Sequence, residues 1–157
     1  MTQKVNLILL RCILGAVLVL FLMPFTRRSD IMGTSMTISG IESALGLKSS
    51  VQISYKIKDH QVAFGITKAE LGATIAAIAA LLALVLTFYK GYMGRILSCL
   101  SSIACAVSLL IMKFKMDQNI IKNSDGLITI QWLWGFWLAF LAAILAVVMV
   151  LLKKPIK

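Results

Sequence analysis

Four apolar segments alternate with polar gaps along this chain, at roughly residues 6–25, 70–89, 93–113 and 131–152. Each is long enough for a helix that crosses the hydrocarbon of a bilayer, which takes about 20 residues for about 30 Å. None has the one-sided pattern of a helix lying on a membrane surface. The gaps form a long loop at about 26–69, a tight turn at about 90–92 and a shorter loop at about 114–130. The long loop is patterned. Val51 to Lys58 alternates apolar and polar residues, the period of a half-buried strand. Asp59-His60 reads as a turn, and Gln61 to Phe64 returns as the partner strand of a hairpin. Ser35 to Ser39 is a third strand candidate. Gly40 to Gly46 reads as one or two helical turns closed by glycine. Gly126 to Ile130 is a fourth strand that feeds into the last apolar segment. Strands this short need to pack as one sheet on the helix ends.

The composition agrees with the pattern. Of 157 residues, 60% are hydrophobic, and the mean hydropathy is +0.94. The net charge of +10 would suggest nucleic acid, but its distribution does not. Lys4, Arg11, Lys90, Arg95, Lys153, Lys154 and Lys157 sit in the N-terminal segment, the tight turn and the C-terminal tail, without an acidic neighbour. Asp30, Glu42, Asp59, Glu70, Asp117 and Asp125 all belong to the two longer loops or their borders. The positive-inside bias then puts both termini and the tight turn in the cytoplasm, and both longer loops outside. The cytoplasmic pieces are too short to build a nucleic-acid site. The first segment has a basic start, but it leaves through Met23-Pro24-Phe25 without a small-x-small cleavage site, and it reads as a retained anchor. Cys12, Cys99 and Cys105 all fall inside spans, so no disulfide is expected in the outer loops.

Packing residues stand out next. Gly72, Ala76 and Ala80 in the second span recur every four residues, as do Gly94, Ser98 and Ser102 in the third and Gly135, Ala139 and Ala143 in the fourth. Such stripes let helices approach closely in lipid, against each other or against another subunit. Trp132, Trp134 and Trp137 mark the outer end of the fourth span, either as an interfacial belt or as a lipid or partner groove. Arg11 is the charge placed inside a span. It snorkels to the headgroups or meets a lipid phosphate or another subunit. Arg27, Arg28, Lys56 and Lys58 help to make the first outer loop basic and are candidates for contact with an acidic partner or anionic surface. Thr67 and Glu70 have the spacing of a capping box before the second span.

No catalytic, metal or cofactor constellation emerges. His60 is the only histidine. The serines of the third span have no base near them in sequence. Away from their ends, the last three spans carry no charged side chain. An enzyme is therefore not expected, a lipid-modifying or redox enzyme being the weakest alternative.

The layout of a long outer loop with most of a small sheet, a shorter loop adding a strand, and both ends inside resembles the claudin-like four-span fold. The tryptophans and paired outer cysteines of the claudin signature are absent from the first loop. Phe21-Leu22-Met23-Pro24-Phe25 followed by Thr37 to Gly46 resembles a pattern in small bacterial four-span membrane proteins of unknown function. That likeness implies a bacterial inner membrane. The expected fold is an all-α transmembrane four-helix bundle carrying a small extracytoplasmic antiparallel β-sheet, in one domain. The expected function is a non-enzymatic accessory or scaffold subunit, meeting membrane lipids and another protein or a second copy through its outer sheet. The rival is an oligomeric channel or small-molecule transport protein.

Overall fold

The computed structural model describes residues 2–30, 35–46, 48–57, 60–66, 69–89, 92–123 and 128–151. In chain order these form α1 (Thr2–Leu20), β1 (Pro24–Asp30), β2 (Ser35–Ser39), α2 (Gly40–Leu45), β3 (Lys48–Ile57), β4 (His60–Ile66), α3 (Leu71–Leu86), α4 (Tyr92–Asn123), β5 (Ile128–Trp132) and α5 (Trp134–Leu151). The molecule is mainly helical with a small antiparallel sheet. Two helical stretches are long and apolar enough to cross a membrane, the 26 residues Met93–Gln118 and the 18 residues Trp134–Leu151. Leu7–Leu20 and Leu71–Leu86 are shorter apolar helices.

The four long helices share one interior. α3 packs on α4, α4 on α5, α5 on α1, and α1 on α3. Val17, Phe21, Ala76, Leu109, Met112 and Phe136 lie in the main cluster, and Leu10, Leu14, Ala83 and Ala146 form a second one toward the end away from the sheet. Small side chains dominate the contacts, so backbones come close. A Cβ added at Gly72 would stand 2.8 Å from Met112 Cβ, and one at Gly135 would stand 2.6 Å from the Pro24 carbonyl oxygen.

α1 ends earlier than the apolar run suggests. Phe21, Leu22 and Met23 donate backbone N–H bonds to the carbonyls of Leu18, Val19 and Leu20, the tight three-residue step that closes many helices. Pro24 then opens a strand instead of kinking a helix. The first position of a strand tolerates its missing N–H. β1 was not visible in the pattern, yet it is the middle strand, in the order β2-β1-β5, antiparallel to both neighbours. The register slips between Pro24 and Thr26, so Phe25 is a bulge. Its carbonyl accepts the Leu133 N–H at 2.8 Å, which ties the bulge to the start of α5.

Two further expectations need correction. The strands do not form one sheet. β3 and β4 pair with each other, Ile53 opposite Phe64 and Ile57 opposite His60, as a separate two-stranded sheet. β1 has β2 and β5 on its two edges, and β3 and β4 pair only with each other. The third apolar segment is also longer than expected. α4 runs to Asn123, 32 residues or about 48 Å, and takes in about half of the expected second loop. Nothing in Phe114 to Asn123 breaks a helix, and buried Met112 and Met116 carry the apolar face onward.

α2 is short but closed at both ends. The Ser39 hydroxyl accepts the Glu42 N–H at 3.3 Å, and a Glu42 carboxylate oxygen accepts the Ser39 N–H at 2.7 Å. Gly46, at φ 66°, gives its N–H to the Glu42 carbonyl. A capping box therefore lies here. α3 begins at Leu71, so Glu70 occupies the cap position itself and its side chain makes no cap bond. Thr67 lies outside the described residues.

Candidate functional site

The sheet β2-β1-β5 sits on one end of the helices, and its two faces differ. The pleat turns Thr26, Arg28, Met36, Ile38, Ile130 and Trp132 toward the helices. Thr26 and Ile38 are fully buried. The other face carries two cross-strand rows, Thr37–Arg27–Gln131 and Ser35–Ser29–Thr129. Every one of those six is polar, and Arg27 supplies the one charge. Its Nη2 donates to Ser35 Oγ at 2.9 Å across the strands.

Arg28 is the contrasting neighbour. One step along β1 turns its side chain inward, opposite Met36 on one side and Ile130 on the other. Burial lowers its pKa below the usual guanidinium value, and the Glu70 charge partly opposes that shift. Among the described residues its Nε has no hydrogen-bond partner. Lys56 stands on β3 opposite Gln61, and Lys58 lies outside the described residues.

A polar clamp fixes the sheet to the extension of α4. Trp132 Nε1 donates to Asp117 Oδ1 at 2.9 Å, and Lys113 Nζ donates to Asp117 Oδ2 at 2.8 Å. The Lys113 ammonium lies 5.6 Å from the centre of the Trp132 ring. Lys113 and Asp117 are one helical turn apart. Neither stood out in the sequence, because their pairing needs a helix where the pattern suggested a loop. The signal was the four-residue spacing itself.

The three tryptophans thus part company. Trp132 belongs to β5 and packs on Phe136 with ring centres 4.5 Å apart. Trp137 meets the same buried Phe136 edge to face at 5.3 Å. Trp134 is 81% exposed. Phe136 also meets Phe25 at 5.9 Å, so one buried ring joins the bulge of β1 to the first turn of α5.

Arg11 lies toward the far end of the molecule. Its Nη2 donates to the Thr87 carbonyl at 3.2 Å, and its guanidinium stacks 4.1 Å above the Phe88 ring. A cation here suits the carbonyl-rich C-terminus of α3. The charge has found its partner within the chain, a pairing that no local spacing announces across 76 residues.

The small-residue positions are mostly interior. Ala76, Ala80, Gly94, Ser98, Ser102, Gly135, Ala139 and Ala143 are buried, and Gly72 is pressed against α4 as described. Ser98 Oγ donates to the Ala83 carbonyl at 3.0 Å, a bond from α4 to α3, and Ser102 Oγ donates to the Ser98 carbonyl at 2.9 Å. Among the described residues, no three His, Cys, Asp or Glu side chains gather where they could hold a metal ion. No family model matches the chain, and neither a curated protein nor a solved structure matches it.

Proposed function

We propose that this chain is a four-span integral membrane protein with both termini cytoplasmic, and that it acts as a non-enzymatic accessory or scaffold subunit through the outer face of its sheet. The reading includes a claudin-like topology and one domain, a four-helix bundle carrying an extracytoplasmic sheet. Side chains that would be costly in water support the membrane placement. Large apolar residues stay exposed along every long helix, among them Ile8 and Val19 on α1, Ile78 on α3, Leu100 on α4 and Leu141 on α5. The charges that favour cytoplasmic termini are those of the sequence pattern.

The observation that carries the functional reading is the two-sided sheet. Its inner face is packed on the helices, its middle strand is bulged and tied to α5, and its outer face is a firm array of hydroxyls and an amide around Arg27. Such a face favours a polar, acid-bearing partner. A channel or transport path along the third span would be lined by its hydroxyls. Ser98 and Ser102 are buried with those hydroxyls already bonded inside the chain, which favours packing over a lined path.

Site-specific photocrosslinking in native membranes tests the proposal. A photoreactive residue at Arg27, Thr129 or Gln131 is expected to give a discrete higher-mass adduct with a protein, and one at Ile78 is expected to label lipid. A well-expressed protein that gives no protein adduct from any of the three sheet positions would remove the proposal.

A further inference from the structure

Between the end of α1 and the start of α3 lies the short helix α2, and it has its own apolar outer side. Gly40, Ser43 and Ala44 turn inward and are buried. A Cβ at Gly40 would stand 2.7 Å from the Phe25 ring, so this side is in close contact with the core. Ile41 and Leu45, four residues apart and so on one side, are 38% and 61% exposed.

α2 is held firmly in that orientation. Its Gly40 and Ile41 N–H groups donate to the carbonyls of Met23 and Phe21 at the end of α1, at 3.3 and 2.8 Å. Its Ser43 carbonyl accepts the Glu70 N–H at 2.8 Å, and its Ala44 carbonyl accepts the Thr74 hydroxyl at 2.7 Å. A Cβ at Gly46 would stand 2.5 Å from the Ala69 backbone nitrogen. The element thus bridges two helix ends, and exposed apolar residues stand at both, Leu22 and Met23 just after α1 and Leu71 at the start of α3.

We propose that α2 is an interfacial anchor, with Ile41 and Leu45 set into the boundary between headgroups and acyl chains of the outer leaflet. This rests on the membrane placement proposed above. Lipid is the occupant favoured here because the patch continues the exposed apolar stripes of α1 and α3. It is also separate from the polar face of the sheet, where a protein partner is expected. The capped ends leave few backbone groups for water to satisfy, which suits a helix lying at that depth. The anchor would fix how far the sheet stands above the bilayer.

Fluorescence quenching on the full chain in vesicles of phosphatidylethanolamine and phosphatidylglycerol tests this. Single cysteines at Ile41, Leu45, Ile78 and Thr129 are introduced in a variant with Cys12, Cys99 and Cys105 replaced by Ala, and each is labelled with a nitrobenzoxadiazole. Labels at 41 and 45 are expected to be at least about threefold less accessible to aqueous iodide than the label at 129, and to be quenched by a nitroxide placed high on the acyl chain. Iodide quenching at both positions equal to that at 129, with the label at 78 quenched by lipid, would overturn the anchor and leave the membrane placement standing. Protection at 41 and 45 from both quenchers would overturn it too, since protein would then cover α2. Absence of lipid quenching at 78 would sink the membrane placement and the anchor together.

Discussion

Arg27 and Arg28 are adjacent in the chain and face opposite ways, and the difference decides what each does. Arg27 shares the outer face with hydroxyls, while Arg28 is turned inward between Met36 and Ile130. Composition gives both the same weight as basic loop residues. Their separation follows from the register of β1, which no local pattern shows. The bulge at Phe25 places both Phe25 and Thr26 inside, so the period of two is broken where a reader would look for it. Replacing Arg28 by Met removes a partly buried charge and keeps much of its volume, so the melting temperature in detergent is expected to stay or rise. Arg27→Met is expected to leave melting unchanged and to weaken the adduct formed from Thr129. A fall of several degrees for Arg28→Met would show that the charge helps to hold the sheet in place. At Asp117, Asp→Asn keeps an acceptor for Trp132 and loses the ion pair with Lys113. Because that pair is partly exposed, about 0–1 kcal/mol is expected. Asp117→Ala loses both bonds and is expected to cost about 1–3 kcal/mol. Equal melting of the two variants would mean that the Trp132 bond contributes nothing.

Between elements, distance governs which substitutions matter. Gly72 and Gly15 both lie in apolar helices, but only Gly72 has a neighbouring backbone against it. Gly72→Ala is expected to cost about 1–3 kcal/mol by pushing α3 off α4. Gly15→Ala, with nothing within 4 Å of the added carbon, is expected to be neutral or to stabilise by about 0.5–1 kcal/mol. Thermal unfolding in one detergent compares them, and similar losses for the two would contradict the packing described. The stripe at Gly72, Ala76 and Ala80 was legible because small residues at intervals of four have few uses other than close approach. The ends of elements were less legible. An apolar run marks the part of a helix that avoids water, and α4 continues beyond that part on the strength of Met116 and the Lys113–Asp117 pair. The capping box of α2 was less legible for a related reason. Thr67 to Glu70 precedes a long apolar helix and draws attention, while Ser39 to Glu42 precedes only six helical residues.

Across the whole molecule, the sequence pattern showed where the apolar helices and most of the strands would lie, but not how the strands would partner. The hairpin β3–β4 was visible because alternation is a local property. The pairing of β1 with β5 was not, because it depends on two segments meeting across most of the chain. Arg11 with Thr87 is a second case of the same kind. The candidate site follows suit. The charge count singled out the first loop, but the face itself draws on strands from both loops, and Trp132 and Asp117 fasten it from the second.

That long-range pairing has a consequence in time. The Thr129 hydroxyl donates to the Ser29 carbonyl 100 residues away. A ribosome adding about 5–20 residues per second needs about 5–20 s to make that stretch. During this interval β1 has been delivered with one edge unmatched, and only β2 is there to meet it. A newly made chain therefore passes through a stage in which the strand at the centre of its finished sheet is still an open edge. The arrival of the last quarter of the polypeptide closes it.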